Sequence, residues 1–594
     1  MFLRTVKARG GEGVQHEYVR LVEAYREHGK NKQRIVCNLG RKDLLAEHLD
    51  NLIALLRGER RAAPKTSAAG SVQAVGAWDW GPMLVARALW CELGLQDVLD
   101  REGGRGVGDG VALADRALVL VANRLCAPTS EHGLARWLET DFVCDRRGRR
   151  WLPQWRDDAE RRASRRPRVR VNFRQLKQWY RTLDQLSARR LVLEEELYLR
   201  LRDLFSLKVD CIFYDLTSTY FEGHGPPLLG AHGHSRDGKP RNRQVLVGLV
   251  LVDGWPLTHH VFAGNWRDST TVRAVLDDLE TRFGLRRVVF VGDRGMVTSA
   301  NLARVRERQH GYVVGLQRRR REAVYRYIER ATGPWTDCPV GRTARERAEV
   351  PKTQVQEVAS DEPGLRVFVV QSDERLVYER GQRLTAMERV RQQLTALEQR
   401  VTTGKLTAPA KIGAAAARIL TRSHGDRYYA WAYRDGGFRF FEHPVNLKRE
   451  EAYEGKYVIQ TEEPQLTPVE AVTIYKELSE VERAFATLKD VIEMRPIYHR
   501  TDARVQAHIF VAALAFLLHR AIEKKLKAAG LDLSSTEALQ ALRSVRVVDF
   551  TVDATGQRKR SVTRGTERAA RVLAALGITD LDPPAPPATA ATIV

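Results

Sequence analysis

Leu193, Leu197, Leu201 and Leu204 are spaced four, four and three apart, which predicts a helix over residues 187 to 205. The period then changes. "LKVDCIFYDLTSTYFEG" at 207 to 223 places Val209, Cys211, Phe213 and Asp215 on one strand parity, followed by a second extended stretch. "RQVLVGLVLVDGWPLTHHVFAG" at 243 to 264 reads as a strand and its return about Asp253 and Gly254, and "STTVRAVLDDLETRFG" at 269 to 284 as a helix. "RVVFVGDRGMVTSANLARVRERQ" then runs from a short strand through Asp293 and Gly295 into another helix. The middle of the chain therefore alternates strand and helix, as an α/β fold does.

Outside that region the patterns differ. "QHEYVRLVEAYREHGKNKQRIVCNLG" at 15 to 40 gives two strand-like segments around His28, Gly29 and Lys30; Tyr18, Arg20 and Arg34 lie on this hairpin, either as DNA contacts or as an ordinary solvated face. Leu44 to Leu56 has helical spacing, "RAAPKTSAAGS" at 61 to 71 reads as a flexible boundary, and residues 82 to 140 favour helices. Between Asp293 and Glu482 lie 188 residues, in which "GYVVGLQ", "RVFVVQ", "ERLVYE", "YYAWAYRDGGFRFF" and "YVIQTE" read as strands around a charged helix near 386 to 402. "YKELSEVERAFATLKD" at 475 to 490 reads as one helix: Ile474, Leu478, Val481, Phe485 and Leu488 make its apolar ridge, Glu482 lies beside the ridge, and Glu477 and Glu480 face solvent.

Charge adds a partner. Lys and Arg number 97 against 74 Asp and Glu, a formal charge of +23 spread along 594 residues, which favours a polyanion without separating DNA from RNA, an acidic protein or a membrane surface. "RRGRRWLPQWRDDAERRASRRPRVRVNFRQLKQWYRTLDQL" at 146 to 186 mixes arginines with Trp151, Trp155, Trp179 and Tyr180; it fits a phosphate-binding surface or an exposed basic linker before a core-facing aromatic helix. "RRR" at 318 to 320 and "RKR" at 558 to 560 are charged turns or nucleic-acid contacts, and "DPPAPPATA" at 582 to 590 reads as a disordered tail. The six cysteines, Cys37, Cys91, Cys126, Cys144, Cys211 and Cys338, form no CxxC pair, so a reducing cytoplasm fits better than a disulfide framework or structural zinc. "IFVAALAFLL" from Ile509 to Leu518 is too short for a span of roughly 20 residues and reads as a buried helix.

Asp215 carries the first chemical signal, because an uncompensated carboxylate on an apolar strand face is costly. A strand-end residue in solvent and an Asp bonding its own turn are the other readings. Ligands of open sheets gather at carboxyl ends of strands, where Asp293 also sits, so the pair tells more than either acid alone. With Glu482, three carboxylates on two strands and a helix form an oxygen-rich cage suited to hard cations, such as two Mg²⁺ ions about 3.5 to 4 Å apart in phosphodiester chemistry.

These segments resemble the DDE transposases of bacterial insertion sequences, the branch with a ribonuclease H-like core and a tyrosine, arginine, glutamate, lysine signature about the last acid. Tyr475, Glu482 and Lys489 match that signature, while Leu478 replaces its arginine and removes any phosphate contact by that side chain. "YDLTSTYFEG" resembles the first-aspartate segment, "GDRGM" the second, and "RPIYHRTDARVQAHIFVAAL" at 495 to 514 the segment after the last acid; the resemblance runs from about 207 to 520, with weaker similarity in the N-terminal hairpin.

The resemblance implies an α/β fold with a ribonuclease H-like core, a large β-rich insertion that helps hold DNA, and a mixed or helical N-terminal accessory region. The expected segments are a hairpin and helix at 1–60, a mainly helical DNA-binding or accessory region at 75–205, the first part of the core at 206–320, the insertion at 321–460, the catalytic helix and core completion at 470–525, and an accessory region with a flexible tail at 526–594. Asp215, Asp293 and Glu482 are the expected catalytic and metal-binding residues, and Tyr475, Lys489, Arg495, His499 and Arg500 the expected DNA contacts. Tyr475 also suits core packing, Lys489 a solvated face, and His499 an acid/base role that metal-assisted attack does not need. The cofactor is Mg²⁺, with Mn²⁺ as a substitute, and the absence of a Walker-type loop argues against ATP. The expected partners are double-stranded DNA with terminal inverted repeats and target DNA, bound by a homodimer in a synaptic complex, without a membrane, in the nucleoid-associated cytoplasm. A metal-dependent nuclease, an inactive DNA-binding protein and a ribonuclease H are the rival readings.

Overall fold

The computed structural model describes residues 2–9, 15–27, 30–42, 72–103, 111–153, 173–205, 209–293, 296, 298–316, 322–339, 352–552, 557–585 and 592–593. The chain forms two units, one of residues 1–73 with 552–557 and one holding the rest. In the first, β1 (Phe2–Arg9), β2 (Gln15–Glu27) and β3 (Lys30–Arg41) make an antiparallel sheet in chain order, so the expected hairpin gains a third strand. Tyr18 is half-buried there, opposite Val6 and Arg41. The helix expected at Leu44 to Leu56, the boundary at 61 to 71, Trp155 and the arginine run at 318 to 320 lie outside the described residues.

β4 (Val72–Asp79) leads into the larger unit, which continues with α1 (Gly81–Glu92), α2 (Leu95–Gly103), α3 (Leu113–Cys126), α4 (Leu134–Thr140), β5 (Arg150–Trp151) and α5 (Phe173–Phe205). Helices over 82 to 140 thus occur as their apolar spacing predicts. Every residue of α3 from Leu113 to Leu125 is buried, as expected of a helix covered on all sides. Trp151 and Trp179 are both buried, their rings 5.1 Å apart, so these aromatics of the basic stretch face the core. Leu193, Leu197 and Leu201 are buried on α5, while Leu204 is exposed.

The central sheet has nine strands in the order β11-β12-β13-β16-β10-β9-β6-β7-β8. Its first half comprises β6 (Cys211–Tyr220), β7 (Gln244–Val252), β8 (Trp255–Ala263), β9 (Val289–Gly292) and β10 (Gly311–Gly315), with α6 (Asp268–Thr281) before β9 and α7 (Ser299–Glu307) after it. β6, β9 and β10 run parallel, and β7 is antiparallel to both β6 and β8. This mixed five-strand arrangement fits the expected ribonuclease H-like core. All of β7 is buried, which accounts for its unbroken apolar run.

After α8 (Glu322–Arg330), the strands β11 (Thr336–Asp337), β12 (Thr353–Val358) and β13 (Arg366–Ser372) extend the same sheet antiparallel. "ERLVYE" departs from its strand expectation and starts α9 (Asp373–Thr402), which is longer than the charged helix read at 386 to 402. Asp373 and Glu374 in its first turn complement the helix dipole, a local effect that the strand-like Leu376, Val377 and Tyr378 obscure. With α10 (Pro409–Ser423) and the hairpin β14 (Tyr429–Arg434) and β15 (Gly437–Glu442), α9 encloses a separate hydrophobic cluster about Val390, Leu394, Ile412 and Phe438. Next, α11 (Pro444–Tyr453) leads into β16 (Lys456–Thr461), which returns between β13 and β10.

The helix read over 475 to 490 is broken in two places. α12 (Pro468–Glu477) starts from a Thr467/Glu470 capping box; Leu478 then tightens the turn, its N–H bonding back to Tyr475 O at 3.3 Å, and α13 (Ser479–Ala486) follows. A π-helical turn over Thr487–Val491 ends the segment. The long α14 (Asp502–Ala528) packs against α3, α5 and β8, which puts "IFVAALAFLL" in the core. Among the described residues it is the one helix long and apolar enough to cross a membrane, and 83% of its apolar window is buried in protein. α15 (Ser535–Leu542), β17 (Arg546–Val552), β18 (Gln557–Val562) and α16 (Glu567–Ala575) follow, with strands ordered β18-β17-β4, and a short β19 (Thr592–Ile593) pairs parallel with β5.

Candidate active site

Parallel pairing places the first two acids. β6 and β9 are in register up to Tyr214 opposite Gly292, and Asp215 and Asp293 are the next residues on the two strands. Asp215 sits mid-strand rather than at a strand end, since β6 continues to Tyr220 paired with β7; only its parallel partner stops there. α13 packs across β6 and β7 with Val481, Ala484 and Phe485 buried, while Glu482 takes its exposed side.

One cavity of about 260 Å³ is lined by all three acids, together with Thr217, Arg236, Asp268, Met296 and Phe485. Burial pushes the Asp215 carboxyl up to about 7, and the negative charges of Asp293 and Glu482 add to the rise against the Leu216 N–H and Arg236. The acids therefore crowd one another with too little positive charge to relieve them. An all-oxygen donor set of this kind fits a hard divalent cation. Glu480 does not take the third position: it pairs with Arg483 at 2.6 Å and Arg520 at 3.2 Å, and lines a different cavity with Glu477.

The expected DNA contacts are placed less uniformly. Tyr475 packs on the sheet, its ring 5.8 Å from that of Tyr457, and its hydroxyl fills the space that a side chain at Gly315 would need. Lys489 holds the lysine position of the signature, seven residues beyond Glu482. The π-helical turn intervenes, and its amine is held 2.8 Å from the buried carboxylate of Asp237. Arg495 grips the same Asp237 and also Asp490. His499 is buried, its Nε2 3.5 Å from Glu131 and its ring packed on Tyr180 and His508. Arg500 is exposed.

The alternation follows from the backbone. Ile497 bonds across the end of β6, its N–H to Tyr220 O and its carbonyl to the Glu222 N–H, both at 3.0 Å. Extended chain then sends Ile497 and His499 inward, and Tyr498 and Arg500 out. Tyr498, 62% exposed, was not singled out from the sequence, nor were Arg236 and Asp268. The signal for Arg236 was the basic, glycine-punctuated run "HGHSRDGKPRNR" between two strands.

Glu131, His499 and His508 also cluster closely enough for a metal ion. However, Arg124 approaches His508 Nδ1 at 3.3 Å and the Met494 carbonyl occupies its Nε2 at 2.9 Å, so this cluster is an internal polar network. At the other end of the chain, Arg560 in "RKR" pairs with Asp549 at 2.7 Å and covers Phe142.

The family model for a transposase DDE domain matches residues 213–518, more than half of the chain. The chain belongs to the DDE transposases. A second family model, the N-terminal domain of the IS1634 family transposases, matches residues 3–67 and assigns the transposase to an insertion sequence. No curated protein matches the chain. The enzyme is thus a DDE-type DNA transposase that performs divalent-metal-dependent phosphoryl transfer.

Proposed function

We propose that this transposase binds the terminal inverted repeats of its own insertion sequence, cleaves the DNA at their ends and joins the freed 3′ ends to target DNA. The convergence of Asp215, Asp293 and Glu482 on one cavity carries this reading. In it, the three carboxylates hold Mg²⁺, for which Mn²⁺ substitutes, and ATP has no part. Bound divalent cations supply Lewis acidity to the phosphodiester and lower the pKa of the attacking hydroxyl.

The chain's own part is positional. β6 and β9 fix two acids side by side, and α13 brings the third over the sheet. Water attacks the phosphodiester at the element end and releases a 3′ hydroxyl; that hydroxyl then attacks a target phosphodiester, displacing its 3′ oxygen. Arg500 and Tyr498 are exposed beside the end of β6, where DNA leaving the cavity can meet them. The segment from 321 to 460, with its added strands and separate helical cluster, is read as the insertion that helps hold DNA, and a homodimer as the unit that pairs two element ends.

The test is cleavage and joining of DNA carrying the element's terminal repeats in Mg²⁺, comparing the native chain with Glu482→Gln at matched DNA occupancy. Both reactions are expected in the native protein and neither in the variant. Cleavage without joining would instead identify a nuclease, and equal activity in the two proteins would remove Glu482 from the site.

A further inference from the structure

We propose that Arg236 is a further catalytic residue, bonding a non-bridging oxygen of the phosphodiester cleaved beside Asp215, Asp293 and Glu482. The inference rests on the proposed function and deepens it. Among the described residues lining that cavity, Arg236 is the one cation. The helical segment bearing Glu482 supplies none: Lys489 is bound to Asp237, Arg483 to Glu480, and Leu478 is apolar.

The loop holding Arg236 is fastened from both sides. Its backbone N–H donates to Ser218 Oγ at 2.8 Å, and Ser218 is fully buried on β6, three residues beyond Asp215. The next residue, Asp237, is locked to Lys489 at 2.8 Å and to Arg495, anchoring the loop to the chain that follows Glu482. These ties fix the Cα of Arg236 without help from its side chain. The guanidinium pairs with Asp268 at 2.7 Å, in an ion pair with both partners partly exposed. Such a pair contributes little stability and can yield to a phosphate.

Physical chemistry favours that exchange. A phosphodiester under attack accumulates negative charge on its non-bridging oxygens, and a guanidinium offers planar, paired donors of matching geometry. Asp268, at the start of α6, would hold the fork towards the cavity until DNA arrives.

The experiment is single-turnover nicking by full-length protein of a duplex carrying the terminal repeat beside its own gene. The scissile phosphate is all-oxygen, Rp phosphorothioate or Sp phosphorothioate, and DNA occupancy is matched by metal-free binding. Arg236→Ala is expected to slow the all-oxygen reaction by about 100-fold, and Arg236→Lys by about tenfold. In the native chain, sulfur at one oxygen slows nicking in a way that Mn²⁺ relieves; sulfur at the other slows it regardless of the metal. The second effect is expected to vanish in Arg236→Ala and to shrink in Arg236→Lys, which also serves if the alanine variant does not fold. Equal slowing of all three substrates by both substitutions would make Arg236 a structural residue and overturn the proposal while leaving the proposed function intact. No metal-dependent nicking by the native chain would overturn both.

Discussion

Asp215 and Glu194 are acids largely removed from solvent, and their charged neighbours drive them in opposite directions. Burial works to raise Glu194, but His259 at 2.7 Å, with Arg190 and Arg282, outweighs it and holds the carboxyl near 2. Burial raises Asp215 as well, and there the neighbours Asp293 and Glu482 push the same way, to about 7. Glu194 ties α5 to β8 and the end of α6 in a completed network, whereas the Asp215 cluster is left short of positive charge. The contrast separates an acid neutralised within the chain from one to which the proposed function brings its balancing charge from outside.

Removing a carboxylate should therefore damage different properties at the two places. The largest effect is expected for Glu482→Gln: cleavage and joining fall by about a thousandfold, ~4 kcal/mol of transition-state stabilisation, while thermal stability and DNA affinity change little. Rates under single turnover, with binding measured separately, check this. A variant that lost affinity and rate in proportion would make Glu482 a binding residue and dissolve the contrast.

Glu194→Gln should act on folding instead. Losing one partner of a buried ionic network costs about 3 kcal/mol at neutral pH, read as a lower denaturant midpoint. The sign with pH follows from the depressed pKa. The contribution of Glu194 is fully present above the unfolded value of about 4.5 and is lost as pH falls towards about 2, so the native and Gln proteins should converge in stability over that window. Cleavage at temperatures where the variant remains folded should stay close to native.

Asp215→Asn sharpens the comparison with a smaller effect of opposite sign. Relief of crowding among three acids should stabilise the metal-free protein by about 1 to 2 kcal/mol, after allowance for solvent screening at the open cavity. The same change should abolish any rise in melting temperature on adding Mg²⁺. A destabilised Asn variant would mean that Asp215 is balanced internally, as Glu194 is.

Much of this was legible in the sequence because the relevant patterns are local. The period-two run ending in Asp215, the strand before Asp293 and the ridge beside Glu482 each occupy a few consecutive residues; the first two found their expected elements, while the ridge is divided between α12, α13 and the π-helical turn. What escaped notice depends on side chains meeting over long separations. Asp237 and Lys489 are far apart in sequence, and no periodicity announces that one neutralises the other. The π-helical turn at Thr487–Val491 has no apolar signature, so the interruption of the helix after Ala486 is not legible in the spacing. "ERLVYE" shows the opposite failure: Leu376, Val377 and Tyr378 resemble a strand, but its charged neighbours and the helix that follows prevail.

The loop after Met494 offers the finest test of how position divides structural from functional groups. Extended backbone there turns His499 into the Glu131 and His508 network and leaves Arg500 exposed one residue later. Arg500→Ala should weaken DNA binding by about 1 kcal/mol and reduce the slope of log affinity against log salt by about one, as for a single lost phosphate contact. His499→Ala should leave that slope unchanged and lower stability, because Glu131 then keeps its charge in a buried site with one partner fewer. Salt titrations of both variants on the same duplex, paired with denaturant melts, read the two effects independently. If His499→Ala lowered the salt slope as Arg500→Ala does, the inward turn of His499 would not persist on DNA, and the loop would engage the duplex through both side chains.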